Sequence, residues 1–340
     1  MKTRRRASVA AAVIVASIAA AACGEQVASH VSAGDTVHSA FTSVFKSNTT
    51  QFVVTAQNLP GQAALLDGSF SIVLTTSQAA GGSATAGERR SVDVSIYHES
   101  TNLVDLRETG GSVYLRTDVE DLAGLAGPGQ SDSIAAELNQ FANRPGLGWV
   151  HEVIAGKWVG LSKSTLLAFV HQVAGMSDMG KSALNLQQTK QLRIAVSTSL
   201  VQSIREWLSI HQTSSDEYAM NLPIRDFVGS LLQGLYKPLA SYLKVAVPSQ
   251  AELGKVIDKI PSSLSVHANM WVADGSLSKL QIFVPNSAAS ILIAVSHPTA
   301  PVVAPTGATM LTVANLSDLL ATVTSGAASR SQASAVLGSL

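Results

Sequence analysis

The segment with the most specific chemical pattern in this sequence is Gly175–Ser182, which has the spacing of a phosphate-binding loop. In such a loop, consecutive backbone N–H groups and a lysine, here Lys181, hold phosphates at the start of a helix. The loop normally follows a strand, but Ser164–Val173 has the pattern of a helix, and Met and Asp replace the usual loop residues. We therefore interpret the segment as a turn between two helices, with Lys181 in solvent.

Two Ser-x-x-Lys sequences, at Ser43/Lys46 and Ser276/Lys279, contain the pair in which a lysine can activate a serine for acyl transfer. The Ser-Asp-Asn and Lys-Thr-Gly sequences that accompany this pair in such enzymes are absent, and the chain contains no Gly-x-Ser-x-Gly elbow. We predict a surface helix for the first pair and a hairpin turn for the second.

The remaining candidates for chemistry are histidines and paired carboxylates. No histidine lies within four residues of another, so no i,i+4 pair can hold a metal on one helix face. Glu120-Asp121 and Asp216-Glu217 are expected beside a helix start or a turn, where negative charge suits the helix dipole. We therefore predict no enzyme activity, no catalytic residue, no metal site and no cofactor. The histidines are His30, His38, His98, His151, His171, His211, His267 and His297.

The only cysteine, Cys23, lies where an apolar segment ends. Lys2 and Arg4–Arg6 precede Ala7–Ala22, a run of small and apolar residues shorter than the about 20 residues of a membrane-spanning helix. This pattern predicts a secretory signal peptide. Ala20–Gly24 resembles the lipobox of bacterial lipoproteins, which usually has Leu or another large aliphatic residue in place of Ala20. The resemblance implies cleavage before Cys23 and acylation of Cys23, which would anchor the protein to the outer face of the cell membrane.

The composition is poor in charge. Charged residues make up 14% of the chain and hydrophobic residues 46%, whereas ordinary domains have about 25% charged residues. Removal of the signal peptide takes four positive charges from a chain with 23 of each sign, leaving a small acidic excess. Such a chain lacks the basic surface that nucleic-acid binding needs. The composition indicates a large core or an apolar surface that accepts a ligand.

Alternation of apolar and polar residues predicts antiparallel strands with one polar face. Gly110-Gly111 and Asp274-Gly275 are expected to form the turns of two hairpins. The predicted strands are Ser69–Thr76, Ser91–His98, Asn102–Glu108, Ser112–Thr117, Leu264–Val272, Leu280–Val284 and Ile291–Val295.

Helical spacing of apolar residues predicts helices over Thr36–Phe45, over Ser182–Gln212 and from Pro223 to Tyr242. An extended segment leads into an apolar helix three times: at Val113–Thr117, Lys157–Leu161 and Tyr218–Asn221. This recurrence predicts a sheet whose strands pass helices to one apolar face.

These features resemble the LolA/LppX/LprG-like group of bacterial lipoproteins and lipoprotein carriers. The resemblance spans roughly residues 36–315 and is carried by Val113–Val119, Gly156–Val159, Met270–Leu280 and Pro301–Pro305. It implies an α+β fold, a strongly bent antiparallel sheet (a half-barrel) with helices packed on its concave apolar face. It also implies carriage of lipids or lipidated molecules without catalysis. The chain departs from the group by two long helices between Ser182 and Ile260.

The expected organisation is a signal peptide over 1–22, a flexible tether over 23–35, and one domain over 36–315 with a helical insertion at 182–260. A C-terminal helix and a small-residue tail follow over 316–340.

We predict that the domain binds or carries an apolar or lipidic ligand. The alternative is a structural or protein-interaction domain of the cell envelope with a filled core. The expected partners are the membrane, through the N-terminal lipid, and a lipid or lipidated ligand, with no nucleic acid. The candidate ligand-cavity residues are Phe70, Ile72, Leu74, Val92, Val94, Ile96, Phe227, Leu231 and Leu235.

Overall fold

The computed structural model describes residues 33–60, 67–78, 90–125, 127, 130–176, 186–243 and 249–324. The predicted signal peptide, Cys23 and the tether up to residue 32 lie outside the described residues. Residues 177–182 of the phosphate-loop-like segment, including Lys181, also lie outside them.

The described parts of the chain contain both helices and strands. The helices are α1 (Ala33–Lys46), α2 (Val119–Gly124), α3 (Ser131–Ala142), α4 (Val150–Ile154), α5 (Lys163–Met176), α6 (Leu186–Trp207), α7 (Ile224–Leu243), α8 (Gln250–Ile257) and α9 (313–324). The strands are β1 (Thr49–Gln57), β2 (Phe70–Gln78), β3 (Arg90–His98), β4 (Thr101–Thr109), β5 (Ser112–Thr117), β6 (Val159–Ser162), β7 (Ser209–Gln212), β8 (Glu217–Pro223), β9 (Ser265–Ala273), β10 (Ser276–Phe283), β11 (Ser290–Ser296) and β12 (Thr309–Met310).

The chain divides into two compact units, each built from two stretches of sequence. Unit 1 comprises Met1–Gly68 and Ala183–His297, and unit 2 comprises Ser69–Ser182 and Pro298–Leu340.

Unit 1 contains antiparallel strands in the order β1-β11-β10-β9-β8-β7. Its apolar face is covered by α1, which places Val37, Ala40 and Val44 on one helical stripe against the strands. The result is a closed hydrophobic core. Its buried strand residues are Tyr218, Met220, Ala268, Met270, Val272, Leu277, Leu280, Ile282 and Ile293.

Unit 2 contains strands in the order β12-β6-β5-β4-β3-β2. All neighbours are antiparallel except the short β12, which pairs with β6 in parallel. A small separate core forms where Ala142, Leu147 and Val150 of the α3–α4 region meet Leu319 of α9. In neither unit do the described strands close into a ring, because both series have two ends.

The two predicted hairpin turns are confirmed. Gly110 and Gly111 have φ of 60° and 74°, and Asp274 and Gly275 have φ of 52° and 72°. Positive φ at both central residues is the geometry of the type I′ turn, whose twist matches that of the flanking strands.

The α+β class and its antiparallel sheet are confirmed, and so are the three passages from an extended segment into a helix. They are β5 into α2, β6 into α5 and β8 into α7. The prediction of one helix over Ser182–Gln212 is wrong in its last turn, because α6 ends at Trp207 and residues 209–212 form β7. Pairing of Ser209–Gln212 with β8 places Ile210 opposite Met220 in the unit 1 core, which outweighs continuation of the helix. Strands β1, β7 and β12 were not predicted.

Candidate ligand-binding face

Alternation along β2 to β6 separates the strands of unit 2 into two faces. The register pairs Leu74 with Val94, Val94 with Leu106, Leu106 with Leu115, and Leu115 with Val159. These five residues form a line across five strands, which we call the central row. A second row pairs Ile72 with Ile96 and Ile96 with Val104. The apolar face of unit 2 consists of these two rows and the flanking Phe70, Val92, Val113 and Leu161.

Much of this apolar face is exposed. Ile72 and Leu106 are both 44% exposed, Val113 is 42% exposed and Leu115 is 36% exposed. Leu74, Val94, Ile96 and Val104 are half-buried. Large aliphatic side chains at the centre of a sheet normally lie in a core, and contiguous exposed apolar patches mark binding sites.

The opposite, polar face of unit 2 is the buried one. Ser77, Ser91, Ser95, Asp105 and Thr109 are each at most 9% exposed. The segment 298–303 lies over this face. There the backbone N–H of Val302 donates to Ser77 Oγ at 3.0 Å, and Arg107 Nη1 donates to the Val303 carbonyl at 3.0 Å.

Asp105 is the centre of a hydrogen-bond network on the polar face. Its Oδ1 accepts from Ser95 Oγ at 2.5 Å and from Asn102 Nδ2 at 2.7 Å. Its Oδ2 accepts from Arg116 Nε at 2.9 Å, and Arg116 Nη2 bonds the same oxygen. Burial raises the pKa of Asp105, but the three hydrogen-bond donors and the positive charge of Arg116 together hold the pKa below its ordinary value.

The ring of Trp158 packs against two arginines of the polar face. The guanidinium carbons of Arg107 and Arg116 lie 4.9 Å and 5.1 Å from the ring centroid of Trp158. Arg107 also forms an ion pair with Asp93 at 2.9 Å. Each arginine is therefore paired with its own carboxylate, so neither positive charge is left uncompensated for an anionic ligand.

The burial of this sheet is thus inverted: its polar face is closed by the protein's own chain while its apolar face is open. The polar face can be buried because many of its polar side chains hydrogen-bond to one another, which offsets part of the desolvation cost, although Asp93 Oδ1 and Arg107 Nε have no partner among the described residues. The apolar face has no such compensation. Exposed apolar area costs about 25 cal/mol per Å², so this face gains free energy from any apolar occupant.

Six of the nine ligand-cavity residues predicted from the sequence share this face. They are the three on β2 and the three on β3, paired as Ile72 with Ile96 and Leu74 with Val94. Phe227, Leu231 and Leu235 lie instead on α7 of unit 1, where Phe227 is buried and the other two are half-buried.

Sequence reasoning missed six members of the apolar face: Val104, Leu106, Val113, Leu115, Val159 and Leu161. The signal was available, because β4 and β5 show the same alternation as β2 and β3, and the Gly110-Gly111 turn fixes their register.

The residues of the other sequence motifs make structural contacts. Ser43 Oγ donates to Ser276 Oγ at 2.9 Å, so the two Ser-x-x-Lys serines bond each other. Lys279 Nζ lies 3.6 Å from the ring centroid of Trp271. Glu120 and Asp121 lie in the first turn of α2, where Asp118 Oδ1 accepts the Asp121 N–H.

Glu217 Oε1, in the second predicted carboxylate pair, accepts from Asn269 Nδ2 at 3.1 Å. Within the described ranges, no group of three His, Cys, Asp or Glu side chains is placed to hold a metal ion.

Unit 1 also has a groove of about 420 Å³ beside α6, α7 and α8. Its lining is polar: Ser230 Oγ donates to Glu206 Oε2 at 2.7 Å and accepts from Ser203 Oγ at 3.1 Å. A groove lined in this way does not suit an apolar ligand.

None of the helices in the described part of the chain is long and apolar enough to cross a membrane. No family model matches the chain, and no curated protein matches it. A solved structure with some similarity is the crystal structure of the Mycobacterium tuberculosis lipoprotein LppX. The match has a TM-score of 0.31 and 9% sequence identity, and it covers 80% of this chain and 98% of that chain. Similarity at this level does not indicate a function for this chain.

Proposed function

We propose that this chain is an exported lipoprotein, anchored through lipid on Cys23, whose unit 2 binds the acyl chain of a lipid or lipidated molecule. The observation that carries the proposal is the inverted burial of the unit 2 sheet. Ile72, Leu106, Val113 and Leu115 are exposed while the polar face behind them is closed. The anchor is inferred from the lipobox resemblance at Ala20–Gly24.

The size of the apolar face favours an acyl chain over a protein. A residue on one face of a sheet occupies about 4.8 Å by about 7 Å, so the twelve residues of the apolar face define a patch on the order of 400 Å². A stable protein interface buries about 800 Å² on each partner. The apolar face is therefore too small for a stable dimer but matches one or two alkyl chains.

The residue composition of the apolar face also favours an acyl chain over a protein. The two rows contain only Leu, Ile and Val. The energetic hot spots of protein interfaces are enriched in Trp, Tyr and Arg and poor in Leu and Val. An alkyl chain, in contrast, needs no hydrogen-bond partner and gains about 0.8 kcal/mol for each buried CH₂. Binding would need no catalytic group and no cofactor, and attachment at Cys23 would keep the binding face beside the membrane that supplies the lipid.

The test uses the full chain carrying Cys23→Ala, which has no acyl anchor of its own, and measures co-purified lipid by mass spectrometry after solvent extraction. Leu106→Asp places a charge at the centre of the apolar face, where the parent side chain is 44% exposed. The matched control is Val256→Asp on α8 of unit 1, whose parent side chain is 54% exposed. We expect bound lipid in the parent chain and in the control, and about a tenfold loss in Leu106→Asp, equivalent to about 1.4 kcal/mol.

A parent chain that carries no lipid and binds no added monoacylglycerol would overturn the binding proposal. The anchor is tested separately by metabolic labelling with palmitate. The unmodified chain should be labelled and membrane-bound, and the Cys23→Ala chain should lose the label.

The second candidate function is a structural or protein-interaction domain of the cell envelope. The closed core of unit 1 favours it, because α1 fills the apolar face there and leaves no room for a ligand. A structural or protein-interaction function gains support if the parent chain is free of lipid and the apolar face of unit 2 becomes protected from solvent in a complex with another envelope protein.

A further inference from the structure

The central row defines a path of fixed length across the unit 2 sheet. Leu74, Val94, Leu106, Leu115 and Val159 lie on five successive strands. Val159 is only 5% exposed, so the part of the row that is open to a ligand runs from Leu74 to Leu115. Three inter-strand spacings of about 4.8 Å give this open part a length of about 14 Å. Alkyl chains advance about 1.3 Å per methylene, given C–C bonds of about 1.5 Å and tetrahedral angles. A chain of about 11 carbons therefore reaches from one end of the open part to the other.

The apolar path runs across the strands and not along them. Along β4 the next residue on the same face after Leu106 is Glu108, an exposed carboxylate that is paired in register with Val92 and Val113. In the other direction Thr117 stands opposite Val104. On β4 or β5, an alkyl chain laid along the strand would leave the aliphatic rows within two residues and meet a charge or a hydroxyl. Laid along the central row, it contacts aliphatic side chains over the whole open part from β2 to β5.

Val159 gives the row a definite end. It is 5% exposed, whereas its neighbours Leu115 and Leu106 are 36% and 44% exposed. A chain that lies on the half-buried and exposed side chains from β2 to β5 therefore meets the buried part of the sheet at β6.

We propose that the open part of the central row measures acyl chains and selects those of about 11 carbons, held in one extended line across β2 to β5. This inference rests on the proposed function and adds the chain length and the direction of the bound chain. Each methylene along the row is expected to raise affinity by up to about fourfold. Methylenes beyond the end of the row remain in solvent and should add little.

The experiment measures the affinity of saturated monoacylglycerols with 8 to 20 carbons, by competition with a fluorescent fatty-acid analogue, on the full chain carrying Cys23→Ala. In this parent chain we expect affinity to rise steadily with chain length and to level off at about 11 carbons. Leu115→Asp then interrupts the row on β5. We expect the levelling point to move to shorter chains by several carbons, because only the part of the row from β2 to β4 remains continuous.

Val113→Asp is the matched control. Val113 is on the same strand and the same face as Leu115, two residues away and similarly exposed, but it lies outside the central row. This variant should keep the levelling point of the parent chain, although its affinities are lower throughout because of the added charge. Comparison of the two variants separates a loss of the row from a general loss of apolar surface.

The outcomes distinguish the two proposals. If no monoacylglycerol of any length binds the parent chain, the proposed function fails. If monoacylglycerols bind but affinity shows no levelling point, or Val113→Asp shifts that point as much as Leu115→Asp, the chain-length inference is wrong while lipid binding stands.

Discussion

The sheets of the two units share a pattern of alternation but bury opposite faces. In unit 1 the apolar face is covered by α1, and Met270 at its centre is fully buried. In unit 2 the residue in a comparable central position, Leu106, is 44% exposed, while Asp105 beside it is buried. The two sheets thus have similar strands and turns but different covering segments.

The difference teaches that alternation determines the composition of each face, and that a distant segment determines which face is buried. In unit 1 that segment is an amphipathic helix with an apolar stripe of Val37, Ala40 and Val44. In unit 2 it is the extended segment 298–303, which offers backbone N–H and C=O groups to Ser77 and Arg107. An apolar stripe covers an apolar face, whereas an extended backbone covers a face that can form hydrogen bonds.

The largest expected effect comes from truncating a central side chain in each sheet. Met270→Ala should lower the free energy of unfolding by about 2–5 kcal/mol, because it leaves a cavity in a closed core. Leu106→Ala should cost less than about 1 kcal/mol, because that side chain is already partly in solvent. Urea denaturation of both variants measures the difference. Equal losses of the free energy of unfolding would contradict this prediction, because they would mean that the apolar face of unit 2 is closed in solution.

The sequence was sufficient to predict the class, the hairpins and most of the strands, because these depend on local alternation and on turn residues such as Gly110-Gly111. It was not sufficient to predict β7, because the pairing of Ser209–Gln212 depends on β8, and the same four residues also fit the end of a helix. The open face of unit 2 was beyond prediction for a similar reason. Whether Ile72 is covered depends on segments far away in the sequence, and alternation carries no information about them.

The second prediction concerns Asp105 on the buried polar face of unit 2. Asp105→Asn keeps the shape of the side chain but removes the charge that Arg116, Ser95 and Asn102 stabilise. We expect a loss of about 1–3 kcal/mol at pH 7.

The loss should depend on pH in a definite direction. The folded-state pKa of Asp105 is below its ordinary value, so its contribution is complete above the unfolded-state pKa of about 3.9 and is lost as pH falls through the folded-state pKa. The gap between parent and Asp105→Asn should therefore be constant near neutrality and narrow below about pH 4. Thermal melts from pH 7 to pH 3 test this, and a gap that widens in acid would contradict it.

The third prediction uses overpacking to compare the two apolar faces. Ile293→Trp in the unit 1 core, where Ile293 is 4% exposed, should cost about 1–3 kcal/mol or more. Ile72→Trp on the open face should change stability by less than about 1 kcal/mol and should also displace bound lipid, since the indole would occupy the second row. Melting temperature and lipid content are measured on the same samples. A large fall in melting temperature for Ile72→Trp, with no lipid in the parent chain, would leave only the structural reading of unit 2.

The smallest expected effect concerns the polar faces of the two sheets. In unit 2 the Trp158 ring lies against two arginines that are held by carboxylates and by the segment 298–303. In unit 1 the corresponding contact is a single pair, Lys279 over Trp271, with Nζ 3.6 Å from the ring centroid.

Lys279→Met keeps an apolar stem over the ring and removes the charge, so the loss of stability should be only about 0.5–1 kcal/mol. Because Lys279 and Trp271 are only half-buried, the loss should shrink in 1 M salt, where the Debye length falls to about 3 Å. Arg107→Met in unit 2 is the matched variant. Arg107→Met should lower the free energy of unfolding by more than Lys279→Met does, and this loss should depend less on salt. The reason is that the ion pair with Asp93 and the hydrogen bond to Val303 are lost from a face that the segment 298–303 covers. Equal losses with equal salt dependence would show that the segment 298–303 does not shield the polar face of unit 2 in solution.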